Sequence, residues 1–309
     1  MKPQAAPLVV RSALREAFAQ LRAAEVPSHT LAGELLLLHV LGRDRAWMYA
    51  HPEEEISATK AERFFKLVSR RAAGEPTQHL TGKQEFWGLE FEVTPDVLIP
   101  RPETEHVIEV VLDRLALREK RAGRPQKTDG AGLLIADIGT GSGCIAIALA
   151  EELPAATFVA TDISSAALVI AQRNATRHST ARRVRFIECN LLENGFDSPI
   201  AISHSPLLFD LVVSNPPYIG RREAATLMRE VREHEPAIAL YGGEEGYELY
   251  ADLIAEATTH LMPGGILVLE LGHNSLPAVQ PLLDASTWSK VSVTNDLAGI
   301  PRVLAAERL

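Results

Sequence analysis

The sequence predicts an α/β protein in which a doubly wound parallel sheet follows a helical N-terminal region. Three observations carry this. Residues 8–73 place apolar residues at three- and four-residue steps in "SALREAFAQLRAA", "HTLAGELLLLHVLG" and "SATKAERFFKLVSRRAAG", the spacing of amphipathic helices. From Gln84 the period changes: "EFWGLEFEVTPDVLIPRP" alternates apolar residues and is broken by Gly88 and Pro95, as in a short hairpin. Further on, "LLIADIG", "TFVATDI", "VRFIEC", "LFDLVVSN" and "GILVLELG" alternate with helical stretches. Apolar strands separated by helices are the mark of a parallel sheet covered on both faces.

Taken in order, Ser57 is a candidate N-cap for the third of these helices, and Gly42 and Gly74 are candidate helix stops. The expected division is a helical domain at 1–78, a hairpin linker at 79–102 and an α/β domain at 103–309. A helix is expected at 103–118, then an exposed connector in "REKRAGRPQKTDGAG" and a surface loop at 193–206. Two short strands, "KVSVTND" and "RVLAAERL", close the C-terminal end and bring the strand count of the α/β domain to seven.

Composition narrows the function classes. Of 309 residues 46% are hydrophobic and 23% charged, as in an ordinary soluble protein. No apolar run approaches the roughly 20 residues that span a bilayer, and no signal-peptide pattern opens the chain. Cys144 and Cys189 stand in no metal or redox spacing, and the ten histidines form no metal-ligand pairing, so no metal is expected. A reducing cytoplasm is the expected compartment. The net charge of −9 argues against a surface built on phosphate contacts, so no direct nucleic-acid binding is expected. Residues 1–75 nevertheless hold 11 Lys/Arg against 9 Asp/Glu, a slightly basic part on an acidic body.

"LLIADIGTGSGCIAIALA" is a strand, a glycine-rich turn and a helix, the layout of a nucleotide site. Gly139, Gly141 and Gly143, with Thr140 and Ser142 between them, form the turn. Gly141, Gly143 and Ala146 also satisfy the dinucleotide fingerprint, which leaves a nicotinamide cofactor open. Asp137, two residues before the first glycine, suits a ligand with an ammonium group, and Asp-x-Gly-x-Gly-x-Gly is the pattern associated with S-adenosylmethionine. Asp162 ends the next strand, where a carboxylate accepts both ribose hydroxyls. Asn190 follows the third strand as an acceptor for an adenine amino group, with Leu191 against the ring.

"VVSNPPYIG" follows the fourth strand, and Pro stops a strand. The Asn215 side-chain oxygen and the Pro216 carbonyl can accept the two N–H bonds of a planar NH2 group. Pro216 and Pro217 hold that carbonyl still, and Tyr218 can lie against the planar face. Two such acceptors favour the charge that develops on nitrogen in a methyl transfer, and alignment supplies much of the rate.

"HLTGKQEFWGLEFEVTPDVLIPRPETE", "DIGTGSGCIAIALA", "SNPPYI", "EPAIALYGGEEGYELY" and "NDLAGIPRVLAAER" together resemble the PrmC (HemK) family over essentially the whole chain. The resemblance implies a Rossmann-like class I S-adenosylmethionine-dependent methyltransferase with a seven-stranded, mostly parallel sheet, joined by a β-hairpin to an N-terminal helical bundle. It implies N5-methylation of the glutamine in the GGQ motif of bacterial class I peptide chain release factors 1 and 2, with S-adenosylhomocysteine as the other product and a monomeric enzyme. Carried over, the Gly139–Gly143 loop and Asp162 hold cofactor, Asn215 to Tyr218 hold the glutamine amide, and the helices at 1–78 dock the release factor. In "IPRPETE", Arg101 and Glu103 are expected to wall the glutamine pocket; the alternative is a plain helix start. Some members of the family put an aromatic at the Leu191 position, and the family's commoner glutamine-rich ending after the fifth strand is absent here. Rival readings are a ribosomal-protein glutamine methyltransferase and, since the same clamp fits a flipped base, an adenine-N6 methyltransferase.

Overall fold

In the computed structural model, residues 7–121, 123, 129–193 and 207–309 are described. Much of the expected connector and nearly all of the expected loop at 193–206 lie outside them. Among the described residues no helix is long and apolar enough to cross a membrane.

The chain divides into two compact units. The first holds residues up to Lys83, with α1 Val10–Ala23, α2 His29–Leu41, α3 Arg45–Ala50, α4 Ala58–Ala72 and α5 Thr77–Thr81. Val10, Ala13, Ala17 and Leu21 form one stripe of α1 and meet Leu36, Leu37 and Val40 of α2 and Phe64, Leu67 and Val68 of α4. Ser57 precedes α4 without a side-chain cap bond, and Gly42 ends α2 in the left-handed conformation. Met228–His234, far along the chain, also belongs to this unit: the buried Arg71 of α4 pairs with Glu230.

The second unit is the sheet unit, Gln84–Leu227 with Glu235–Leu309. It begins in the hairpin β1 Lys83–Phe86 and β2 Leu89–Glu92. Trp87 and Gly88 both take positive φ in its two-residue turn, the geometry that matches strand twist. Trp87 is held there by its N–H to Glu105 and its indole N–H to Glu152, 2.8 Å each, while Phe86 is core. Then come α6 Glu105–Arg121, β3 Leu134–Ile138, α7 Cys144–Glu152, β4 Thr157–Asp162, α8 Ser165–Arg177, β5 Val184–Glu188, β6 Phe209–Ser214 and β7 Ile219–Gly220. After α9 Arg229–His234 follow α10 Ala237–Leu240, β8 Tyr241–Gly243, α11 Leu249–His260, β9 Leu261–Glu270, α12 Leu276–Val279, β10 Trp288–Asn295 and β11 Pro301–Arg308.

Seven strands form one sheet in the order β10-β11-β9-β6-β3-β4-β5. β5, β4, β3, β6 and β9 are parallel, and β11 runs antiparallel to β9 and β10. Alternation along the strands feeds two cores. Ile135, Leu211 and Val213 join α6 and α7 on one face, while Ala136, Ile138 and Val212 join α11 on the other. From β3 the chain moves outward through β4 and β5, then crosses back to β6 on the other side. The strand order therefore reverses between β3 and β6, and at such a point the loops leaving the carboxyl ends part and open a crevice.

Candidate active site

The two loops that leave this reversal are the glycine turn after β3 and the Asn-Pro-Pro-Tyr turn after β6. Between them lies a cleft of about 270 Å³. Gly139, Gly141, Asp162, Asn190, Leu191, Asn215, Pro216 and Pro217 all line it. Of the other expected residues, Thr140, Ser142 and Gly143 belong to the glycine turn without lining the cleft, and Asp137, Tyr218, Arg101 and Glu103 are also outside the lining.

The glycine turn is held from below by two carboxylates. Gly139, Gly141 and Gly143 all have positive φ, from +56° to +83°. A Cβ on Gly139 or Gly141 would meet nothing, so backbone conformation is what requires glycine there. A Cβ on Gly143 would come within 2.9 Å of Ile147 and 3.2 Å of Ala171, so the third glycine also serves helix packing. Asp162 accepts from Gly141 N–H at 2.8 Å and from Ser164 N–H at 2.9 Å. Asp137 is fully buried, and its Oδ2 accepts from Thr140 Oγ1 at 2.6 Å and from Ala146 N–H at 3.1 Å. Burial pushes Asp137 up to about 7, against those two bonds, and also raises Asp162.

This arrangement bears on the nicotinamide alternative that the glycine spacing left open. A pyrophosphate site needs free N–H groups at a helix N-terminus. Here Gly141 N–H is taken by Asp162, Gly143 N–H by the Thr140 carbonyl at 2.8 Å and Ala146 N–H by Asp137. Two carboxylates beneath the turn repel an anion and favour a cationic ligand.

Asn190 is exposed at the rim; its Nδ2 is tied to Glu193 at 3.3 Å, which leaves Oδ1 as an acceptor. Leu191 is buried with φ +50°, a strained conformation for a leucine, and its carbonyl accepts from Thr161 Oγ1 at 2.8 Å.

The proline turn is held by side chains. Asn215 Nδ2 donates to Thr104 Oγ1 at 3.1 Å, while its Oδ1 is buried and has no partner. An unpaired buried acceptor costs about 1–3 kcal/mol, so an acceptor left open on a cleft wall marks a place for a donor. Tyr218 donates its hydroxyl to Glu270 Oε1 at 3.2 Å, with its ring against Gly272, where a Cβ would lie 3.1 Å from the tyrosine. Burial carries Glu270 up to about 7, against the Thr104 hydroxyl, Arg302 and Tyr218, and carries the Tyr218 phenol well above its usual range. β7 and β8 run side by side behind the turn, and a Cβ on Gly242 would strike the Pro217 carbonyl at 2.1 Å. The "YGGEEG" stretch thus lets a second backbone approach the prolines.

"IPRPETE" reaches the cleft differently from expectation. Arg101 Nη2 donates to the buried Glu235 at 2.6 Å, and Glu235 also accepts from Ile99 N–H at 3.1 Å. This ties the cleft-lining stretch at 96–98 to the one at 238–241. Glu103 is exposed in a 3₁₀ turn at Pro102–Thr104, and the residue that meets the site is Thr104. Sequence reasoning missed Thr104, Glu235 and Glu270. A carboxylate inside the apolar run "LVLELG" was the available signal for Glu270, since such a group is buried for a reason. Among the described residues no cluster of metal-ligating side chains occurs.

Comparison with known proteins agrees with this geometry. Residues 12–82 match the model of the PrmC N-terminal domain, and residues 126–234 that of the methyltransferase small domain. The chain is 42% identical over 302 residues to a release factor glutamine methyltransferase of Moorella thermoacetica, covering 97% of this chain and 99% of the relative. It is 41% identical over 301 residues to the protein of that name from Koribacter versatilis, again covering 97% and 99%. Among solved structures, the human methyltransferase 10 domain containing protein is similar in fold, with a TM-score of 0.50 at 21% identity over 79% of this chain and 96% of its own. The hMettl16 catalytic domain in complex with an RNA hairpin is similar with a TM-score of 0.53 at 18% identity, covering 78% and 81%. With near-complete overlap at about two residues in five identical, the chain belongs to the release factor glutamine methyltransferase family.

Proposed function

We propose that this protein transfers a methyl group from S-adenosylmethionine to the side-chain amide nitrogen of the glutamine in the GGQ motif of bacterial class I release factors. The observation that carries it is the Asn215 carboxamide: the residue lines a cleft shared with the glycine turn, and its Oδ1 is buried and unpartnered. The donor set fits the cofactor. Asp162 offers a carboxylate for ribose hydroxyls and Asn190 an acceptor for an exocyclic amine, and both line the cleft. The unpartnered Oδ1 of Asp137 leaves a negative centre beneath the turn for an ammonium group.

S-adenosylmethionine, when bound, supplies an electrophilic methyl group on a sulfonium sulfur. The chain's own residues prepare the acceptor. An amide nitrogen is a poor nucleophile because its lone pair is delocalised. Asn215 Oδ1 and the Pro216 carbonyl accept its two N–H bonds, draw density onto nitrogen and stabilise the positive charge that forms there. The fixed φ of Pro216 and Pro217 keeps the acceptors from rotating away. The nitrogen gains one bond to carbon and releases one N–H proton to solvent, so no strong base is required. The helical unit, with its slightly basic composition, is the part read as docking the release factor.

The test is labelled methyl transfer to an unmodified release factor, beside the same factor with its GGQ glutamine replaced. Label on the first and none on the second is the expected result. Label on neither, with cofactor bound, would overturn the substrate and direct the search to ribosomal-protein glutamine and nucleic-acid amines.

A further inference from the structure

A carboxamide has two ends of nearly equal shape, one accepting and one donating. A flip of Asn215 would put its amino group where the acceptor belongs, and a donor facing a substrate NH2 is repelled. Something must fix the orientation. Thr104, buried in the turn before α6, receives the Asn215 Nδ2–H at 3.1 Å. A hydroxyl has a single proton, however, and both lone pairs and proton are available to a neighbour. If the Thr104 proton pointed at Asn215, it would attract the amide oxygen and turn the amino group to the cleft.

Glu270 decides where that proton goes. It ends β9, is fully buried, and is acted on by the Thr104 hydroxyl. One oxygen, Oε1, is occupied by the Tyr218 hydroxyl at 3.2 Å. The other, Oε2, is buried with no hydrogen-bond partner, so it is open to accept the Thr104 proton. A carboxylate offers no proton in return. The position of Glu270 is itself fixed, since its backbone carbonyl accepts from Tyr250 Oη at 2.8 Å. Arg302, the neighbouring cation, donates through its two terminal nitrogens to Asp296 at 3.0 Å and to the Leu271 carbonyl at 3.3 Å, keeps a buried Nε without a partner, and favours the charge of Glu270 from nearby.

We propose that Glu270, acting through Thr104, holds the Asn215 carboxamide with Oδ1 toward the substrate amide and, through its bond to Tyr218, anchors both ends of the Asn-Pro-Pro-Tyr turn to one buried group. Neither Thr104 nor Glu270 lines the cleft, so both are positioning residues. The inference rests on the reading of Asn215 as acceptor for the glutamine amide. It also says why three separated stretches, "IPRPETE", "SNPPYI" and "LVLELG", occur in one chain: they bring Asn215 onto Thr104 and Tyr218 onto Glu270, with the Thr104 hydroxyl acting on Glu270.

Three variants of the full chain test it. Thr104→Val keeps the shape and removes the hydroxyl, Thr104→Ser restores it, and Glu270→Gln keeps the volume but can offer an N–H to Thr104. Thr104→Val and Glu270→Gln are expected to lower kcat by roughly tenfold or more, with Thr104→Ser close to wild type. The cofactor Kd, read by calorimetry, should stay within about twofold in all three, because a lost hydrogen bond behind the turn leaves the glycine loop intact. The second readout needs no substrate. Exchange of the Asn215 side-chain amide protons, followed by nuclear magnetic resonance in the free protein, should be slow in wild type and Thr104→Ser and faster in Thr104→Val.

Wild-type kcat and unchanged amide exchange in Thr104→Val would overturn the inference. So would loss of activity together with cofactor affinity in all three variants, the mark of a general structural role. A wild-type protein that leaves the GGQ glutamine unmethylated while amide exchange still depends on Thr104 would overturn the substrate reading and leave the anchor standing.

Discussion

The turn after β3 and the turn after β6 leave neighbouring strands and line one cleft, yet one is made of glycine and the other of proline. In the glycine turn the backbone itself is the working surface. Positive φ at three positions shapes it; Asp162 holds it by accepting Gly141 N–H, and Asp137 by accepting the Thr140 hydroxyl. In the proline turn the proposed working groups are a side-chain oxygen and a fixed carbonyl, and the support is a buried set of side chains from distant stretches. The comparison teaches that rigidity is reached here by two routes with different failure modes. A backbone wall fails when a side chain is added to it, a side-chain wall when one is taken away. The first should show in folding and cofactor binding, the second in turnover.

The largest effect expected on the proline side is that of Asn215→Ala. Removing the acceptor should lower kcat by on the order of 10²–10³-fold, the usual loss for a preorganised polar group facing developing charge. Cofactor affinity should hardly move. A comparable rise in Kd would break the division of labour between the two walls. On the glycine side, Gly143→Ala forces a side chain into φ +83° and places Cβ 2.9 Å from Ile147. A stability loss of about 2–3 kcal/mol is expected from backbone strain and overpacking together, measured as the urea midpoint at constant slope.

Asp162→Ala removes two bonds to backbone N–H groups together with the candidate ribose acceptor. Cofactor Kd should rise roughly tenfold to a hundredfold, from the loss of charge-assisted hydrogen bonds. The kcat at saturating cofactor should stay within a few-fold, which sharpens the contrast with Asn215→Ala.

The smallest expected effect is a pH dependence of turnover traced to Glu270 on the proline side, beside Asp137, which is also raised to about 7 on the glycine side. Glu270 sits at about 7 in the folded protein, raised by burial, with Thr104, Tyr218, Tyr250, Arg302 and Glu103 around it. As pH falls through about 7 the carboxylate takes up a proton, gains a donor and releases its hold on the Thr104 hydroxyl. The kcat should therefore fall with falling pH over that range, and the profile should flatten in Glu270→Gln. The same raised value has a folding consequence of definite sign. The folded state binds this proton more tightly than the unfolded chain, so the contribution to stability is full below the ordinary carboxylate range and is lost as pH rises through about 7. The urea midpoint of wild type relative to Glu270→Gln should thus decline between pH 5 and pH 8.

Much of this protein was legible in its sequence. The change from a helical period to alternating strands and helices predicted an α/β sheet behind a helical part, and the glycine and proline motifs each closed a strand, so the open sheet placed both at its carboxyl edge. These features are local: φ preferences and apolar periods act within a few residues, and a reader of the chain can follow them. What only the tertiary structure decided is which distant side chains stand behind the motifs. Thr104 reaches Asn215 across 111 residues, Tyr218 reaches Glu270 across 52, and Arg101 reaches Glu235 across 134. The return of Met228–His234 to the helical unit is of the same kind. No period or spacing encodes such partners, because a buried carboxylate or hydroxyl is tolerated wherever packing happens to bring it a partner. The partner is chosen by the fold, and the function of the motif depends on that choice.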